Sequence, residues 1–198
     1  QPPRITPYLS SDVYGRRVID QVMESLATYD METLQTRGVL ADAWQMDPDG
    51  LWLRVHINPA ARFSDGMPVT AEDVRYTVMD FIKNERIEAE RSRSTLEMIQ
   101  DVEVIDEHTV EFSFDKAVFT NLDYTLGIYV LPKHFYSQLE ESTINQSTGL
   151  LMGSGPFRLE TLDPGDQWSP GEDIQIVRNE RYWGGTKAPL SSMRFKVI

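Results

Sequence analysis

The chain has 198 residues, with 31 acidic against 19 basic side chains, a formal net charge of −12 and no cysteine. That charge argues against nucleic acid and anionic membrane surfaces as partners, because phosphate binding needs clustered Lys and Arg. Without thiols there are no disulfides, thiolate metal sites or cysteine nucleophiles, and no apolar run approaches the roughly 20 residues of a membrane span.

Gln1 stands where an initiating Met would, as expected of a processed or engineered chain. Prolines at positions 2, 3 and 7 extend the start. Ser10-Ser11-Asp12 then sits where it can cap a first helix with Val13, Arg17, Ile19, Val22, Met23 and Leu26 on a partly apolar face. Asp49-Gly50 and Asp65-Gly66 read as tight turns, since Gly accepts positive φ. Between them Leu51, Leu53, Val55 and Ile57 alternate with Trp52, Arg54 and His56, the period of a half-buried strand. Thr70 is placed to cap a helix, with Asp73 at the capping-box position and Val74, Val78, Phe81 and Ile82 on one face. Trp52, on the opposite strand face from Leu53, is expected to be covered by that helix.

The charged stretch Asn84 to Glu97 reads as a solvated helix with i,i+4 pairs. A hairpin over Val102–Phe114, two further helices, the second starting at Pro132, and a polar linker from Glu140 to Thr148 complete the middle of the chain. From Gly153 the pattern is strand, long Pro/Gly loop, strand, turn, strand. The alternation of Met193–Ile198 with no cap or polar tail after it reads as the first part of a longer chain.

Catalytic and metal chemistry finds no foothold in these residues. His56, His108 and His134 lie on different elements with no ligand partner at metal spacing. Gly153-Ser154-Gly155 lacks the Lys-Ser/Thr of a phosphate loop and leads into a strand, so its glycines are expected to permit a sharp re-entry into a sheet. No nucleophile–base or paired-carboxylate set suggests itself. No enzyme activity, cofactor or metal is expected.

Five blocks in order carry a resemblance. They are Asp47–Val74, Val102–Phe114 ("V-x-V-x-D-x-x-T-V-x-F-x-F"), Leu131-Pro132-Lys133-His134, Gly153-Ser154-Gly155-Pro156-Phe157, and Asn179-Glu180-Arg181-Tyr182-Trp183-Gly184. Together they resemble family 5 of the bacterial extracellular solute-binding proteins, the peptide and nickel receptors of ABC importers. The resemblance implies an α/β (α+β) fold, the first lobe of a type II periplasmic-binding-protein-like structure. Residues 1–29 plus 149–198 would share a mixed sheet, residues 30–148 would form an inserted α+β sub-domain, and the second lobe would be absent.

It also implies a monomeric receptor that closes two lobes over a solute, usually a peptide, and delivers it to the transmembrane subunits of an ABC permease. The location implied is the periplasm or the outer face of the cytoplasmic membrane. Ser10, Ser11, Asp12 and Tyr14, after the first strand, are the ligand-facing candidates, and Trp168 in its Pro/Gly loop could reach the cleft or a partner. Asp12 as a simple helix cap and Tyr14 as a packing residue remain the bland alternative. The rival function is a ligand-sensing domain of a regulatory protein built on the same fold.

Overall fold

The structure is a computed structural model that describes residues 4–165 and 167–196. The expected extended start at 1–3, Asp166 in the long loop and the last two positions of the final strand lie outside the described residues. Helix α1 (Val13–Val22) comes first, followed by the short hairpin β1 (Ala27–Tyr29) and β2 (Thr36–Gly38). A four-stranded antiparallel sheet follows, of β3 (Ala41–Met46), β4 (Trp52–Ile57), β5 (Ile99–Val104) and β6 (Thr109–Phe114), in the order β3-β4-β6-β5.

The 47–74 block keeps its turns, strand and capped helix, but Leu51, expected to point inward, precedes β4 and is 46% exposed. Gly50 and Gly66 take φ of 73° and 95°, values that a side chain would strain. Leu53, Val55 and Ile57 are fully buried on one face of β4. Asp73 completes half a capping box on α2 (Ala71–Arg75): its Oδ2 accepts the Thr70 N–H at 2.9 Å and the Thr70 hydroxyl at 2.8 Å. Its Oδ1 accepts the Lys133 N–H at 2.8 Å, tying α2 to the start of α5 (Lys133–Tyr136). Burial pushes the Asp73 carboxyl above its ordinary value, and these hydrogen bonds pull it back.

The helix continues from α2 as a π-helical segment, Tyr76–Ile82, that buries Val78, Phe81 and Ile82. Thr77 explains the change of winding. Its hydroxyl donates to the Asp73 carbonyl at 2.7 Å and accepts the Leu131 N–H at 2.9 Å, so a side chain from inside the helix serves two backbone groups. α2 packs against β5 and β6 and the π-helical segment against β5, with Val74 and the Leu53–Ile57 face buried between them.

Trp52 therefore differs from expectation. It lies half-buried on the other face with the Arg54 guanidinium 5.4 Å from its ring centroid, while Arg54 pairs with Glu111 at 2.7 Å. The Asn84–Glu97 stretch is helical only over α3 (Glu90–Thr95). Asn84 Oδ1 turns the chain by accepting the Arg86 N–H. Arg93 folds inward to donate to the carbonyls of Ile82, Asn84 and Ile87, so it is not part of a solvated face. The expected linker from Glu140 contains a helix, α6 (Glu141–Gln146), because Ile144 gives it a buried anchor.

After α4 (Asn121–Leu126), α5 and α6, the strands β7 (Phe157–Leu159), β8 (Ile174–Arg178) and β9 (Ser192–Phe195) form an antiparallel sheet of their own. Among the described residues every strand pairing is antiparallel, and residues 4–29 enter no sheet with β7–β9. They meet that part of the chain through the packing of α1 on β7 and a hydrogen bond from the Ile5 N–H to the Thr148 carbonyl at 2.7 Å. The glycines of Gly153-Ser154-Gly155 serve close approach, since neither takes a positive φ. A Cβ on Gly153 would lie 2.3 Å from the Val22 carbonyl oxygen, and the Gly155 N–H donates to that same oxygen at 2.9 Å. The buried apolar side chains, from Ile5 and Val22 through Phe81 and Tyr136 to Ile176, form one cluster.

Thr70→Ala should destabilise the protein by about 1 kcal/mol in chemical denaturation, and Val78→Ala by roughly 2 kcal/mol through the cavity it leaves. Equal, negligible effects of the two would contradict this packing.

Candidate functional site

The turn that leads into α1 is built from the residues singled out in the sequence. Asp12 caps α1, its Oδ1 accepting the N–H groups of Tyr14 at 2.9 Å and Gly15 at 2.8 Å. The Ser10 hydroxyl donates to Asp12 Oδ2 at 3.2 Å, and the Ser10 N–H donates to the Thr6 carbonyl at 3.1 Å. Gly15 is buried, and a Cβ there would stand 2.6 Å from the Arg4 carbonyl oxygen, so the first turn of α1 rests on the N-terminal run. With the capping positions taken by Asp12, Tyr14 and Val13 are held outward at 61% and 66% exposure, and the Arg17 guanidinium lies 5.9 Å from the Tyr14 ring. Ser11 is exposed beside them.

Just before this turn Tyr8 takes a φ of 66°, a strained backbone for a residue with a large side chain. Its hydroxyl donates to the Tyr129 carbonyl at 2.6 Å, and the Tyr129 hydroxyl donates to Asp20 Oδ1 at 2.5 Å on α1. Burial raises the phenol of each above its ordinary value. Tyr129 thus links Tyr8, just before the turn, to the last turn of α1. Elsewhere the β1–β2 tip carries two exposed apolar side chains, Met31 at 84% and Leu34 at 73% exposure.

Trp168 does not join this group. It is only 9% exposed, and its indole N–H donates to the Glu172 carbonyl at 3.1 Å inside its own loop. It lines a groove against α6 to which residues 10–14 do not contribute.

A different cluster was not singled out from the sequence. Glu24, just past α1, is 8% exposed and accepts from the Tyr182 hydroxyl at 2.6 Å on Oε1 and from the Trp183 indole N–H at 2.8 Å on Oε2. Burial raises its carboxyl above the ordinary value, and the two donors partly offset that. The signal was available: a lone carboxylate inside the apolar run Val22-Met23-Glu24-Ser25-Leu26, with a Tyr-Trp pair downstream. Among the described residues no three metal-ligating groups converge. His56 Nδ1 and His134 Nε2 each lie 2.6 Å from a carboxylate oxygen, of Asp42 and Asp65 respectively.

The profile of "Bacterial extracellular solute-binding proteins, family 5 Middle" matches residues 35–198. The chain belongs to that family. The peptidoglycan-binding protein YepA of Agrobacterium fabrum is 34% identical over 155 residues, covering 77% of this chain and 23% of YepA. The oligopeptide-binding protein AppA of Bacillus subtilis is 30% identical over 189 residues, covering 91% of this chain and 32% of AppA. The AppA structure, solved with a nonapeptide, superposes with a TM-score of 0.81 at 26% identity, covering 96% of this chain and 36% of AppA. NikZ of Campylobacter jejuni, solved with Ni(L-His), does so with a TM-score of 0.81 at 26% identity, covering 100% of this chain and 37% of NikZ. The fold is that of the type II periplasmic binding proteins, and the chain spans about a quarter to a third of the curated relatives it matches. Family 5 proteins are extracellular solute-binding proteins, and no described helix is long and apolar enough to cross a membrane.

The Glu24 cluster has a pH signature. A carboxyl whose folded-state pKa is raised stabilises the fold fully below its unfolded value and loses that contribution as pH rises through the folded value. Wild type should therefore lose stability relative to Glu24→Gln as pH is raised from about 4.5, the ordinary glutamate value, toward neutrality. Denaturation midpoints of both proteins across that range test this, and a constant difference would contradict it.

Proposed function

We propose that this chain supplies lobe I of the solute receptor of an ABC importer, capturing peptides by closure of two lobes. Residues 1–29 and 149–198 form the body of the lobe, and residues 30–148 the inserted sub-domain. The observation that carries the reading is the turn into α1. An aromatic and an aliphatic side chain, Tyr14 and Val13, are held outward by a capped, strained and doubly anchored backbone. A rigid turn that exposes apolar surface suits a wall that a ligand completes, since ligand burial then costs little ordering entropy.

Family membership supports the receptor role, and AppA, with its name and its nonapeptide, supports peptide as the solute. Closure over an extended peptide selects the closed population through contacts to both lobes. The receptor acts as a monomer in the periplasm or anchored to the outer face of the cytoplasmic membrane. It hands its solute to the permease transmembrane subunits and performs no catalysis.

Tyr14→Ala in the full-length protein tests this directly. Peptide affinity should fall about tenfold, the effect of one contact residue, with the unfolding midpoint unchanged because Tyr14 is exposed. Asp12→Ala should instead lower stability by about 1 kcal/mol through loss of the cap. Unchanged peptide affinity in Tyr14→Ala would overturn the placement of the ligand at this turn.

A further inference from the structure

We propose that the groove between α6 and the loop preceding β8 is a second solute site, separate from the α1 turn, that takes a small uncharged polyhydroxyl compound such as a saccharide. The groove holds about 450 Å³, within the range of roughly 300–1,000 Å³ typical of small-molecule sites.

Its two walls are joined as a preformed unit. The Gln167 carboxamide clasps the backbone of Leu151, accepting its N–H at 2.7 Å and donating to its carbonyl at 3.1 Å. Gly149 lets the walls touch: a Cβ there would lie 2.5 Å from the Trp168 carbonyl oxygen. The Trp168 indole N–H is satisfied by the Glu172 carbonyl, which leaves its loop shaped without help from a ligand.

Polar residues whose side chains the fold does not use line this frame. Thr143, Gln146, Thr148, Ser169 and Glu172 are among the residues that line the groove. Among the described residues none of these side-chain groups has a hydrogen-bond partner. Hydroxyls and an amide both donate and accept, and a carboxylate accepts from ligand hydroxyls, which is the complement of a polyol. Leu150, Pro164 and Trp168 supply apolar wall for C–H faces. Among the described residues no Lys or Arg lines the groove and Glu172 does, so phosphate or carboxylate ligands are disfavoured.

The test uses full-length protein labelled with 5-fluorotryptophan, the Trp168 resonance being assigned from its loss in Trp168→Phe. Maltose should shift that resonance saturably, and glucose 6-phosphate should not. Gln146→Ala and Glu172→Gln should each weaken maltose binding up to about tenfold, the effect of one lost hydrogen bond. Both positions are exposed, so unfolding midpoints should stay unchanged. No shift with maltose to its solubility limit, wild-type maltose affinity in both variants, or equal affinity for glucose 6-phosphate would overturn the proposal. Loss of the maltose response in Tyr14→Ala would overturn it too, by moving the sugar to the α1 turn, whereas loss of peptide binding alone leaves this site standing.

Discussion

A buried carboxylate must be satisfied, and Glu24 is satisfied only if the chain returns to it from far downstream. The Tyr182 hydroxyl and the Trp183 indole N–H reach its two oxygens from residues 158 and 159 positions away. Leaving either donor out would strand a buried acceptor at a cost of about 1–3 kcal/mol, more for a charged one. The neighbouring contacts obey the same requirement. Gly153 and Gly155 lie against the Val22 carbonyl at the end of α1, and Asn179, at the start of the Tyr-Trp turn, donates through Nδ2 to the Gly155 carbonyl at 3.1 Å. The end of α1, the Gly-Ser-Gly segment and the Tyr-Trp turn are therefore one joint.

That joint fixes one end of α1 and leaves the other to be built locally. At the start of the helix the Asp12 cap and the strained Tyr8, whose hydroxyl donates to the Tyr129 carbonyl, define a backbone with few alternatives. The price of a residue such as Tyr8 at positive φ, about 1–3 kcal/mol, is tolerable only where the surroundings over-determine it. Here both ends of the helix are held, and the outward placement of Tyr14 follows from that support.

Local signals were legible in the sequence where one residue type answers one geometric need. Gly50 and Gly66 at positive φ, Asp12 and Asp73 at helix starts, and the alternation of β4 and β6 all follow from backbone or burial rules that act within a few residues. The misreadings lie where a distant group intervenes. Arg93 looked solvated because nothing nearby in the sequence reveals the carbonyls of Ile82 and Ile87 that it serves. Trp52 escapes helical cover, and its sequence does not show this because periodicity gives two strand faces without saying which the helix takes. The glycines at 153 and 155 were recognised as necessary, but for backbone conformation, when the need is contact with the end of α1. Of the site residues, Ser10, Asp12 and Tyr14 form one turn as their spacing suggested, whereas Trp168 belongs to a groove set by the Gln167–Leu151 clasp.

The sequence distance across the Glu24 joint also bears on how the protein folds. During synthesis α1 emerges ahead of its partners at 153–155 and 182–183, which follow more than 130 residues later. The β3-β4-β6-β5 sheet and its covering helix close through pairings confined to residues 41–114 and can form without them. Loop-closure entropy delays the long-range joint relative to this local sheet. The apolar face of α1 therefore stays exposed until the sheet region is complete, a late docking step that lengthens the time in which the nascent chain remains open.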